Sequence, residues 1–168
     1  MIRSIMLLGL ALGLCNTSSF AQTGHGSINR SGMEVSWEIV GERIHFTLSA
    51  PTHGWVGIGF NENAGLKGTY LIMGNVKDGR PIVMEHYVLS PGDYRPISDL
   101  GGTSSLGDIT GQEFEDKTIV RFSVPVMLDQ IYKKQLGRGK SFHLLMAYSS
   151  ADDFQHHSMM RTSAKITL

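Results

Sequence analysis

From Met33 onward the chain alternates apolar and polar residues with a period of two, and glycine or proline interrupts the alternation at short intervals. Met33, Val35, Trp37 and Ile39 share one face of an extended segment. After Gly41, Ile44, Phe46 and Leu48 share a face opposite Arg43, His45, Thr47 and Ser49. Successive side chains point to opposite sides only in a strand, so this pattern reads as a hairpin half-buried against a core. Trp55 to Phe60 predicts a third strand, in which Gly57 and Gly59 leave one face open to close approach. Further strands are expected over Thr69–Val76, Pro81–Leu89, Thr118–Val124, Phe142–Tyr148 and Ala164–Leu168, with a two-residue turn at Asp78-Gly79. Gly92 to Gly111 reads as a long connection containing a short strand. One helix is expected after Pro125, where Leu128, Ile131, Tyr132 and Leu136 follow helical spacing and Gly137 ends it. Many short strands with frequent turns predict an all-β chain, an antiparallel sandwich.

Composition excludes several classes. The 168 residues carry 15 basic and 15 acidic side chains, and 41% are apolar. Such a chain is not disordered by composition, and without a basic cluster it does not read as a nucleic-acid binder. One domain is expected.

Residues 1–21 read as a secretory signal peptide. A positive start at Arg3 precedes an apolar run from Ile5 to Leu14, too short for a transmembrane segment, and Ser19-Phe20-Ala21 places small residues at a cleavage site. Cys15, the one cysteine, also allows a lipoprotein reading, although Leu14 is bulky for it. Cleavage after Ala21 leaves an exported protein, periplasmic or secreted, without disulfide, thiol nucleophile or cysteine metal site. Residues 22–32, rich in Gly, Ser, Asn and Thr, read as a flexible lead-in, and residues 33–168 as the folded domain.

Catalytic motifs are missing. No phosphate-binding loop, nucleophile elbow or His-Glu-x-x-His is present. His157 as general base with Arg161 as anion clamp would lack a nucleophile or paired carboxylate, so the chain is not read as an enzyme. Asp152-Asp153 could bind a cation, but the sequence offers no third oxygen donor beside them. Seven histidines and seven methionines follow residue 21. His45 and His143 fall on polar faces, His53 in a turn, and His86 reads as a hydrogen-bonded core residue. His156-His157 lie in the loop before the last strand, where only one of two adjacent side chains is expected to point inward. Methionine fills irregular apolar space and is also a soft ligand for haem iron or Cu(I).

Two segments resemble the DOMON domain family. Gly54-Trp55-Val56-Gly57-Ile58-Gly59-Phe60-Asn61, followed by Gly65-Leu66-Lys67-Gly68-Thr69-Tyr70-Leu71-Ile72-Met73-Gly74, is similar to its two glycine-rich motif strands. His157-Ser158-Met159-Met160-Arg161-Thr162-Ser163-Ala164-Lys165-Ile166-Thr167-Leu168 is similar to its closing motif, with the His, Arg, Ser, Ile and Leu in register.

The resemblance implies an exported Ig-like β-sandwich of about 10–11 strands with a pocket at one end. Some members hold haem b there for electron transfer, and others are thought to bind sugars. Carried over by position, the haem-iron ligand is His157, with His156 as the fallback. The family's methionine falls on Leu66, the acid of its second motif on Tyr70, and the Gly after the Arg on Thr162. Loss of that methionine leaves the iron five-coordinate or calls on another ligand such as Met73. Trp55, Ile58, Leu66 and Met73 would pack the porphyrin, and a redox partner protein would follow. In the sugar reading, Trp55 or Tyr70 stacks on the ring, with His157, Arg161 and Asn61 as hydrogen-bond donors. A structural or adhesion sandwich without a small ligand is the remaining alternative.

Overall fold

A computed structural model describes residues 24–127 and 130–168. The predicted leader and Leu128 of the predicted helix lie outside the described residues. Eleven strands form in chain order: β1 (Gly24–Arg30), β2 (Met33–Val40), β3 (Arg43–Ala50), β4 (Val56–Asn61), β5 (Tyr70–Lys77), β6 (Arg80–Ser90), β7 (Asp93–Pro96), β8 (Gly107–Glu113), β9 (Thr118–Pro125), β10 (Ser141–Tyr148) and β11 (Met160–Thr167). They make two antiparallel sheets, ordered β1-β2-β3-β9-β8 and β11-β10-β4-β5-β6-β7. The architecture is the all-β sandwich expected.

The alternating faces of β2 and β3 are where the sequence put them. Met33, Val35, Trp37, Ile39, Ile44, Phe46 and Leu48 are all buried between the sheets. Phe46 packs on Phe60 of β4 at 5.5 Å between ring centroids and on Phe122 of β9 at 5.6 Å, joining the two layers. Asp78 and Gly79 both have positive φ and close the β5–β6 hairpin. β4 is central and buried on both faces. Its glycines make room for neighbours in the same sheet. A Cβ at Gly59 would lie 2.5 Å from Cγ2 of Thr69, and one at Gly57 3.3 Å from Cγ of Met73.

Two expectations are corrected. The lead-in pairs with β2 from Gly24 to Arg30 and is an edge strand, β1. The helix after Pro125 is absent among the described residues: Tyr132 has φ 72° and ends any helical course there. Long-range contacts override the local pattern, because Tyr132 packs on Tyr87 with the rings tilted, Lys133 reaches into the core, and Leu136 is fully buried.

Candidate functional site

The outer face of the six-stranded sheet carries a second apolar cluster, separate from the core between the sheets. Alternation fixes its members. Leu71 and Met73 point outward from β5, Val88 from β6, and Ala147 from β10, with Trp55 just before β4. Leu66, Tyr94, Leu145 and Phe154 pack against them. Such a patch on a sheet face requires a cover.

The cover is the β10–β11 connection, which runs over this face as a strap. Donors from the sheet hold its backbone carbonyls. Trp55 Nε1 donates to the His156 carbonyl at 3.2 Å, Asn75 Nδ2 to that of Asp152 at 2.7 Å, and the Tyr94 hydroxyl to that of Phe154. Ser149 Oγ donates to the His157 carbonyl at 3.0 Å, and the Trp55 amide to that of Ala151 at 3.0 Å. These bonds set the path of the strap and place His156 and His157 along the space beside it.

That space is a pocket of about 130 Å³ that opens to solvent, smaller than the roughly 300–1,000 Å³ usual for small-molecule sites. Trp55, Leu66, Leu71, Met73, Leu145 and Ala147 form an apolar floor. Gln155, His156, His157, Ser158 and Arg161 form a polar rim, with Tyr94 at the side. Arg161 reaches the rim from β11, opposite Ala147, and donates to Ser158 Oγ at 3.1 Å. Among the described residues it makes no ion pair. Its charge faces the mouth.

The structure therefore brings His156, His157, Arg161, Leu66, Trp55 and Met73 together, although they are up to about a hundred residues apart in sequence. Tyr70 and Ile58 are placed elsewhere. Both lie fully buried between the sheets, and the Tyr70 hydroxyl donates to the Glu85 carboxylate. A stacking role for Tyr70 is thereby corrected: it is one residue out of phase with the pocket face. Asn61 is buried against the β4–β5 loop instead, where it donates to the carbonyls of Gly65 and Lys67, at 2.7 and 3.0 Å, shaping the loop that delivers Leu66. The pocket lies on a sheet face rather than at the sandwich end. Val88, Tyr94, Leu145 and Ala147 were not singled out from sequence. Leu145 and Ala147 carry the signal of alternation on β10, while Tyr94 carries none.

His86 stands beside the pocket, on the same face, 1% exposed. Its ring meets those of Tyr94 and Phe154 edge-on, at 5.7 and 5.8 Å. Burial pushes its pKa down to about 4, against the opposing pull of the Met84 backbone and the Asp99 charge. Its imidazole is therefore neutral at ordinary pH. No described residue partners its Nδ1.

The donor set suits a flat, largely apolar ligand bearing an acid. Two imidazoles and one thioether border the apolar floor, and a guanidinium stands at the mouth. These are groups that hold haem iron and a carboxylate. The imidazoles and the thioether are donor types that haem iron accepts, and the Trp55 indole is a surface on which a sugar ring stacks.

Comparison with known proteins agrees with this architecture. The family model described as the DOMON domain matches residues 29–149. A Drosophila melanogaster protein named MOXD1 homolog 2 is 31% identical over 88 residues, which are 52% of this chain and 11% of that protein. The chain thus matches only a small part of that relative's length. The crystal structure of the cytochrome b domain of pyranose dehydrogenase from Coprinopsis cinerea superposes with a TM-score of 0.61 at 10% identity. That match covers 84% of this chain and 80% of the other, and it shows a shared fold. Among the described residues no helix is long and apolar enough to cross a membrane.

Proposed function

Because the chain belongs to the DOMON domain family, we propose that it is an exported binding module whose outer-face pocket holds haem b and passes electrons to a partner protein. The observation that carries this reading is the apolar floor bordered by His157, His156 and the Met73 thioether, beneath one unpaired guanidinium. When bound, haem supplies one-electron chemistry, and the protein sets its orientation and potential. His157 is the assigned iron ligand, through an imidazole nitrogen. The hydrogen bond to its carbonyl from Ser149 and that to the His156 carbonyl from Trp55 fix the strap from which the ring projects. Leu66 and Leu145 add apolar surface to the lining, and Arg161 would hold a carboxylate of the bound group. Binding rather than catalysis is the role proposed.

The test is a titration of the purified protein with haemin, followed by its absorption spectrum. A saturable Soret band that His157→Ala abolishes, or reduces to a weak high-spin form, supports the reading. A wild-type protein that leaves haemin unshifted overturns it. Glycan binding weakened by His157→Ala, with no Soret band in any variant, would establish the sugar reading instead.

A further inference from the structure

Asp152 opens the strap directly after its tightest anchor. A Cβ at Gly54 would lie 2.5 Å from the Ser149 carbonyl oxygen and 2.6 Å from that of Ala151, so the strap root presses against bare backbone there. The Trp55 amide bonds the Ala151 carbonyl, and the Ser149 amide bonds that of Trp55 at 2.9 Å. Asp152 is thus held in place. Asn75, on the outward face of β5 and 4% exposed, donates its amide nitrogen to the Asp152 carbonyl at 2.7 Å.

That bond leaves two oxygens without partners. Both Oδ1 of Asn75 and Oδ1 of Asp152 are buried, and no described residue donates to either. Buried acceptors are nearly always satisfied, and each orphan costs about 1–3 kcal/mol. Both are oxygens, one belongs to a carboxylate, and the carboxamide is anchored on the aspartate itself. The occupant they require is a donor or a cation. No set of three His, Asp or Glu side chains converges on an ion among the described residues, so a closed transition-metal site is not on offer.

We propose that the strap root is a weak calcium site, with Asp152 Oδ1 and Asn75 Oδ1 as protein ligands and water completing the shell. Ca²⁺ takes oxygen ligands in flexible geometry, whereas Mg²⁺ demands a near-ideal octahedron. One carboxylate and one amide match the affinity range of extracellular modules, about 10⁻⁴–10⁻³ M. The ion bridges β5 to the segment that carries His156 and His157, and so steadies one wall of the pocket. This assignment does not rest on haem as the ligand.

The experiment uses the ligand-free protein with Tb³⁺ and Ca²⁺ as probes. Trp55, bonded to the strap root, serves as the antenna for Tb³⁺ luminescence. Wild type is expected to give saturable emission that Ca²⁺ displaces. Its melting temperature should rise about 3–6 °C when Ca²⁺ stands tenfold above its dissociation constant. Asp152→Asn should weaken Tb³⁺ at least tenfold while keeping the wild-type far-ultraviolet spectrum, and Asp153→Asn should bind as wild type does. Asn75→Asp, which adds a second carboxylate, should tighten binding several-fold. No Trp-sensitised emission together with a calcium-independent melting temperature would show that a buried water fills the site and overturn the proposal. Unaltered affinity in Asp152→Asn would overturn it equally.

Discussion

The Lys133 ammonium lies 3.1 Å from the Glu85 carboxylate, and neither side chain has any solvent exposure. Lys133 also donates to the Thr103 carbonyl at 2.7 Å and to Ser105 Oγ at 2.9 Å. Glu85 in turn accepts from the Tyr70 hydroxyl and from the Ser105 amide at 2.9 Å. Two long connections, before β8 and before β10, are thereby fastened to the inner face of β6. A buried charge must be paired, and here the pairing partner organises otherwise irregular chain.

Lys133→Met is expected to destabilise the fold by about 3–5 kcal/mol, because it strands a buried carboxylate. Adding Glu85→Gln should recover part of that loss, a coupling that a denaturant double-mutant cycle measures. Burial pushes the Glu85 carboxyl up, but hydrogen bonds from Tyr70, Ser105 and Lys133 outweigh it and leave the pKa lowered. The folded value lies below the unfolded one. The contribution is therefore complete above the usual carboxylate range, about 4.3, and lost as pH falls through the folded value. Glu85→Gln should flatten that acid limb.

This network explains what the sequence disclosed and what it did not. β2 and β3 were legible because each has one buried and one open face, so Trp37 and Phe46 declared their side by alternation. β4 and β5 are buried on both faces, and without alternation nothing told Tyr70 from Leu71. Tyr70 consequently entered the candidate site while Leu71 did not. Between Val126 and Gly137, helical spacing was genuine but weaker than the ion pair of Lys133 and the burial of Leu136. His157, Arg161 and Leu66 were found through the family's motif order. Tyr94 and Phe154 owe their places to the strap, whose course is set by side chains donating to carbonyls, a pattern invisible in sequence.

Trp37 and Gly26 form a matched pair across β1 and β2. A Cβ at Gly26 would lie 2.4 Å from Cζ2 of Trp37, closer than any contact survives. Gly26→Ala should therefore displace the indole or detach the edge strand, lowering the melting temperature and raising proteolysis near residue 26. Trp37→Ala should cost about 3–5 kcal/mol by opening a cavity. Unchanged melting of Trp37→Ala would contradict its place in the core.

Leu66 borders the pocket where haem-binding relatives are expected to have methionine, according to the motif resemblance. Leu66→Met should shift a five-coordinate haem spectrum toward a six-coordinate, low-spin one. The parent spectrum decides whether Met73 already serves: a low-spin wild type that Met73→Leu turns high-spin would assign the thioether to Met73. His156→Ala should leave either spectrum nearly intact. A reversed result, with His156→Ala damaging and His157→Ala silent, would move the ligand by one residue along the strap.

His86 should make the strap sensitive to acid in a higher pH window than Glu85. Its folded pKa of about 4 lies below the ordinary histidine value of 6.5, so the unfolded chain binds its proton first. Stability from the neutral, buried ring is fully present above pH ~6.5 and drains as pH falls toward the folded value. The shift amounts to about 3 kcal/mol at most, and the Asp99 charge already opposes it. His86→Leu keeps an apolar contact for Phe154 and Tyr94 and removes the titrating group. Chemical denaturation at a series of pH values should show the wild type losing stability between about pH 6.5 and 4 while the variant stays level over that window. An imidazole resonance of His86 titrating near its ordinary value would show that the ring is hydrated in solution, and the strap would then stand further from the sheet than its contacts with Phe154 imply.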